Sequence, residues 1–136
     1  MRVMLDTNIL ISAIIFNSRQ MQDIIDALSS KHTLVLSSYV IDELREVVAS
    51  KFSAKIADLD GFLSELPFEF VFTPKALPPH NLFIIRDKDD EKVLYTAIIS
   101  DVDILITGDN DFSAIELVRP IIMSPSDFCE KYIEPM

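Results

Sequence analysis

The order of segments along the chain predicts an α/β fold, a parallel sheet with helices on both faces. Two observations carry this expectation. Short β-rich runs alternate with longer segments of helical period. And 136 residues with 49% hydrophobic content suit one domain with one buried core, spanning 1–136, with no internal repeat or low-complexity tract.

Arg2–Leu5 reads as a short strand ending at Asp6, and the segments from Asn8 to Phe16 and from Met21 to Leu28 have helical period. Thr33–Leu36 is a second strand, followed by amphipathic helices from Ser38 to about Phe52 and from Ala54 to Leu66. Phe68–Phe72 resembles a half-exposed strand. Pro74, Pro78 and Pro79 mark a loop over about 73–82, and a helix is expected from about Asp89 to Ser100. Asp103–Ile106 is a strand that leads into Thr107-Gly108-Asp109. A short helix containing Phe112 to Leu117, a strand at Pro120–Met123 and a helix from Ser126 to about Ile133 complete the chain.

Composition excludes several functions. The sequence has 2 glycines, too few for a Gly-rich phosphate loop, and Cys129 is its only cysteine, so neither an internal disulfide nor a paired-thiolate metal site is available. No basic leader with a cleavage site opens the chain, and no apolar run approaches the roughly 18 residues of a membrane span. The expected setting is the cytoplasm. The formal net charge of −10 opposes a nucleic-acid substrate, since phosphate contacts dominate such binding. Divalent cations at the carboxylates or a local basic rim would reconcile the two, and a basic protein partner would use the acidity directly.

Helical phase sorts the acids. In the helix from Ser38, Val40, Ile41, Leu44, Val47 and Val48 form the buried stripe, Asp42 and Glu46 lie opposite, and Glu43 falls at the border. A border glutamate can equally pair with a nearby base. In the later helix Val93, Leu94, Ala97 and Ile98 are buried. Asp90, one turn before Leu94, points inward while Asp89 points away. Asp87 and Asp89 read as helix-start acids. Asp6 and Asp109 each follow a strand expected to be central, where ligands gather in such sheets. Asp6 could also be a plain N-cap, and Asp111 is a better cap than Asp109. Bare carboxylates converging at one sheet edge must take up protons or hold cations, and oxygen-only ligands select hard ions such as Mg²⁺ or Mn²⁺.

These residues fall into a known pattern. Met4–Ala13 (MLDTNILISA), Ser37–Val48 (SSYVIDELREVV), Arg86–Ile98 (RDKDDEKVLYTAI), Ile104–Phe112 (ILITGDNDF) and Ser124–Phe128 (SPSDF) resemble, in order and over nearly the whole chain, the PIN-domain nucleases. Within them the likeness is to the small toxin components of toxin–antitoxin pairs. The resemblance implies a PIN-like three-layer α/β/α sandwich with a central, mainly parallel sheet. It also implies a Mg²⁺- or Mn²⁺-dependent endoribonuclease, commonly a homodimer, inhibited by a cognate antitoxin. Its catalytic and metal-binding acids would be Asp6, Glu43, Asp90 and Asp109, with Asn8 and Thr107 in support. Asp6, Glu43 and Asp90 would hold one ion, and Asp109 would complete that site or help hold a second.

Arg86, Lys88 and Lys92 are candidates for RNA phosphate contacts, or simply a solvated helix start. His32 and His80 lie outside every motif. A haloacid-dehalogenase-like phosphatase would need an Asp where Asn8 stands. A solitary RNA-processing nuclease and a non-catalytic binding module of the same fold are the remaining alternatives.

Overall fold

Among the described residues, five strands form one wholly parallel sheet. They are β1 (Arg2–Leu5), β2 (Thr33–Ser37), β3 (Glu69–Val71), β4 (Ile104–Ile106) and β5 (Ile121–Met123), in the spatial order β3-β2-β1-β4-β5. The computed structural model describes residues 1–76, 78–79, 82–109, 112 and 115–133. His80, Asp111 and part of the helix expected around 112–117 lie outside them.

The two central strands are the most apolar. Val3, Met4 and Leu5 of β1 and all three residues of β4 are buried, as strands covered on both faces must be. Their register pairs Leu5 with Ile106, so Asp6 and Thr107 leave the sheet side by side. The edge strand β3 is shorter than its alternation suggested. It leaves Phe70 45% and Phe72 79% exposed, in edge-to-face contact with each other at 4.9 Å.

Six helices cover the sheet: α1 (Thr7–Ile14), α2 (Arg19–Lys31), α3 (Ser38–Lys51), α4 (Ile56–Glu65), α5 (Lys88–Ile99) and α6 (Pro125–Tyr132), counting only described residues. Side-chain caps set most of their starts. Ser18 accepts from the Met21 N–H, Ser37 from that of Val40 and Ser124 from that of Asp127, with Pro125 in the first turn. The segment read as one helix from Ala54 is a 3₁₀ turn at Ser53–Lys55 followed by α4. No described helix is long and apolar enough to cross a membrane.

Two features of this frame matter for chemistry. First, β1 and β2 pass into α1 and α3 without a loop, so a residue at either junction is held by strand and helix together. Second, the chain moves from β1 outward to β2 and β3, then returns to place β4 on the other side of β1. The carboxyl ends of β1 and β4 therefore flank the point where strand order reverses, where α/β sheets open a crevice.

Candidate active site

A cleft of about 240 Å³ opens at that point, bordered by Asp6, Thr7 and Asn8, by Glu43 and Val47, by Asp87, Asp89 and Asp90, and by Asp109. The four acids singled out in the sequence thus meet in one place, from four separate segments. α3, which carries Glu43, packs against both α1 and α5 and so closes the cleft from the side.

Asp6 is the most constrained of the four. It is buried at the β1–α1 junction as the α1 N-cap, and its Oδ1 accepts from the Thr7 N–H at 2.7 Å. Its Oδ2 accepts from the Thr107 hydroxyl at 2.9 Å, and its own N–H donates to the Ile106 carbonyl at 3.1 Å. Asp6 is therefore an N-cap and a wall of the cleft at once. Burial raises its pKa; the bonds from Thr107 and Thr7 pull it back, and the charges of Glu43 and Asp109 add to the rise.

Thr107 supports two acids at once. While its hydroxyl donates to Asp6, the same oxygen accepts from the Asp109 N–H at 3.1 Å, which fixes the backbone of Asp109 beside the cleft. Asn8, in the first turn of α1, is exposed and lines the cleft without a cap role.

Asp90 stands at the start of α5 and points inward, 8% exposed, while Asp89 beside it is exposed. Asp87 is the helix cap, accepting from the Asp89 N–H at 2.7 Å and the Asp90 N–H at 3.3 Å. The Oδ2 of Asp90 is buried and has no hydrogen-bond partner among the described residues. Burial, then the charges of Asp109, Asp87 and Asp6 and a hydrogen bond with Asp109, push its pKa up to about 7.

Glu43 is half-buried on α3, with Val40, Leu44 and Val48 buried and Asp42 and Glu46 exposed, as helical phase requires. Its Oε2 accepts from the Tyr39 hydroxyl at 3.1 Å.

Four residues at or beside the cleft were not assigned to it from the sequence. Asp87 and Asp89, read as helix-start acids, also border the cleft. Thr7 is 2% exposed, and its hydroxyl has no partner among the described residues. Tyr39, one turn before Glu43, was not singled out from the sequence; its i,i+4 spacing to Glu43 was the available signal.

The donor set is entirely oxygen, which fits a hard divalent cation, and the orphaned Asp90 Oδ2 is a buried acceptor that a cation would satisfy. Among the described residues no group of three or more His, Cys, Asp or Glu forms a ready-made cage. Lys88 and Lys92 are exposed near the cleft, Lys92 with its ammonium 5.0 Å from the Tyr39 ring centroid. His32 lies far from the acids in the fold's layout, packed edge-on to Phe128 and Tyr132.

A parallel sheet with an acid-lined crevice at its reversal point defines a class of α/β domains, and sequence comparison makes the assignment specific. The sequence model of the PIN domain matches residues 2–111, and the chain belongs to the PIN domain family. No curated protein sequence matches the chain. Among solved structures, it is similar to VapBC2 from Rickettsia felis bound to a DNA fragment from its promoter. There the TM-score is 0.69 and the identity 23%, over 90% of this chain and 97% of that one. DNA-bound VapBC from Salmonella typhimurium follows at 0.64 and 16%, over 92% and 98%. Mycobacterium tuberculosis VapC20, a Sarcin-Ricin loop cleaving toxin, matches at 0.61 and 13%, over 85% and 96%. At these identities the likeness establishes the shared fold.

Proposed function

We propose that the chain is a divalent-cation-dependent endoribonuclease that hydrolyses RNA phosphodiester bonds, and that it is the toxin of a toxin–antitoxin pair. The observation that carries the catalytic reading is Asp90: a buried carboxylate with one oxygen unpartnered, set among three acids from other parts of the chain. A fold does not retain that repulsion for stability, since buried unpaired charge is costly. Membership of the PIN domain family and the VapC20 likeness favour RNA as the substrate.

Asp6, Glu43, Asp90 and Asp109 would hold the cation, Mg²⁺ or Mn²⁺. When bound, it would supply an activated water and offset negative charge on the phosphate. Thr107 bridges Asp6 and Asp109, and Asn8, at the cleft rim, would orient water or substrate. Lys92 and Lys88 offer the nearby positive charge that an RNA backbone needs at the edge of an acidic cleft.

The likeness to VapBC structures supports a cognate antitoxin partner, and the family resemblance supports a cytoplasmic homodimer. A net charge of −10 suits a basic partner segment. The test is cleavage of structured and single-stranded RNAs with added Mg²⁺ or Mn²⁺, using wild type and Asp6→Asn. Cleavage by wild type alone, abolished by EDTA, is expected. Equal cleavage by both proteins, or cleavage that survives EDTA, would sink the metal role.

A further inference from the structure

Three of the four acids are held in place by the fold itself. Asp6 accepts two hydrogen bonds, Asp90 is packed inward at the start of α5, and the backbone of Asp109 is tied to Thr107. Glu43 is different. It is half-buried in the middle of α3, on a side chain with one more rotatable bond than an aspartate, and nothing in the helix alone fixes where its carboxylate lies. Among the described residues its carboxylate accepts from the Tyr39 hydroxyl, at 3.1 Å.

Tyr39 is itself anchored from two other parts of the chain, the segment after β3 and α5. Its N–H donates to the Thr73 hydroxyl at 3.3 Å, and the Thr73 N–H donates in turn to the Ser38 hydroxyl at 2.9 Å, so the segment after β3 is stitched to the start of α3. The Thr73 and Thr96 hydroxyls are hydrogen-bonded at 3.2 Å, which brings in the middle of α5. The ammonium of Lys92, also on α5, sits 5.0 Å from the centroid of the Tyr39 ring. An i,i+4 pair on a free helix surface has no such scaffold; here Thr73 ties the backbone of Tyr39 and Lys92 lies over its ring, while its hydroxyl reaches Glu43 and has Asp89 as a second acceptor nearby.

We propose that Tyr39 is a positioning residue, whose hydroxyl fixes the Glu43 carboxylate in the orientation from which it ligates the cation. The proposal rests on the metal reading given above. A phenol is protonated at neutral pH and can donate its one proton to a carboxylate. Hydrogen bonds to the ligands of a metal orient them, and losing one costs on the order of 10–100-fold in metal affinity.

The test is Mn²⁺ binding to the full chain, read by electron paramagnetic resonance titration. It compares wild type, Tyr39→Phe, Glu43→Gln and the double variant, each checked for an unchanged melting temperature. Phenylalanine keeps the ring and its contact with Lys92 and removes only the hydroxyl. Tyr39→Phe should bind Mn²⁺ about 10-fold more weakly. In RNA cleavage its kcat should fall at low Mn²⁺ and recover at saturating Mn²⁺, with KM for RNA unchanged. In the Glu43→Gln background the same change should cost nothing further, because its route of action is already gone.

Wild type that binds Mn²⁺ with Tyr39→Phe equally tight overturns the proposal and leaves the metal reading standing. So does a full 10-fold loss in the Glu43→Gln background. Wild type that binds no Mn²⁺ overturns both.

Discussion

A hydroxyl has one proton to give, and in Thr107 that proton goes to Asp6 while the oxygen receives the Asp109 N–H. Asp6 is thus met by donors on both oxygens, which favours its anion, whereas the buried Oδ2 of Asp90 meets none. In the absence of a cation the cluster keeps its proton on Asp90, whose pKa of about 7 lies above the value near 4 of an unfolded aspartate. The folded protein therefore retains a proton that the unfolded chain gives up. The stabilisation from this is full below about pH 4 and is lost as the pH rises toward 7. Thermal melts of metal-free protein should accordingly show a Tm lower by roughly 5 °C at pH 8 than at pH 5. Asp90→Asn should flatten most of that slope, and a slope unchanged in the variant would refute the assignment. Thr107→Val, which removes one donor and one acceptor, should cost about 1–2 kcal/mol in denaturant unfolding. It should also lower RNA cleavage about 10-fold through the loss of order at Asp6 and Asp109.

At the level of elements, helical phase turned two runs of acids into specific assignments. On α3 it separated Glu43 from exposed Asp42 and Glu46, and on α5 it separated buried Asp90 from exposed Asp89. Alanine at Asp42 or Glu46 should leave Mg²⁺-dependent cleavage within about twofold of wild type, while Glu43→Gln should lower it at least 10-fold; similar losses at all three would mean the helix face is misassigned. The strands were legible because β1 and β4 are short apolar runs ended by polar residues, and their central place followed from the alternation of segments. What sequence could not show was contact between segments. Tyr39 matters through Thr73 and Lys92, which lie 34 and 53 positions away, and no local pattern announces such partners. Thr7 was hidden for a related reason: its burial depends on what packs over the first turn of α1. Asp87 was read as a cap and is one; that the same cap borders the cleft depends on how α5 is seated. Phe70 and Phe72 had an apolar alternation that promised a buried face, but β3 lies at the sheet's edge, where that face is open.

For the whole molecule, a net charge of −10 and an acid-lined cleft set the terms of any encounter with RNA. Few lysines flank the cleft, so the release of counterions on binding should be small. Anisotropy titrations of RNA with the Asp6→Asn variant should give a log–log salt slope shallower than about −2, and a slope steeper than about −4 would point to an extended basic track elsewhere. The topology has a separate consequence, for the order of events during synthesis. β1 finds its first neighbour, β2, about thirty residues on, but its other neighbour, β4, arrives about a hundred residues after it. Until then Asp6 lacks the hydroxyl of Thr107 and the cleft lacks Asp109, and pairings this distant in sequence form late. A chain still on the ribosome, with its amino-terminal half already folded, therefore carries its first acids without a site. On the proposed function, activity has to wait until β4 is made, and the growing chain lacks its complete set of acids for most of its own birth.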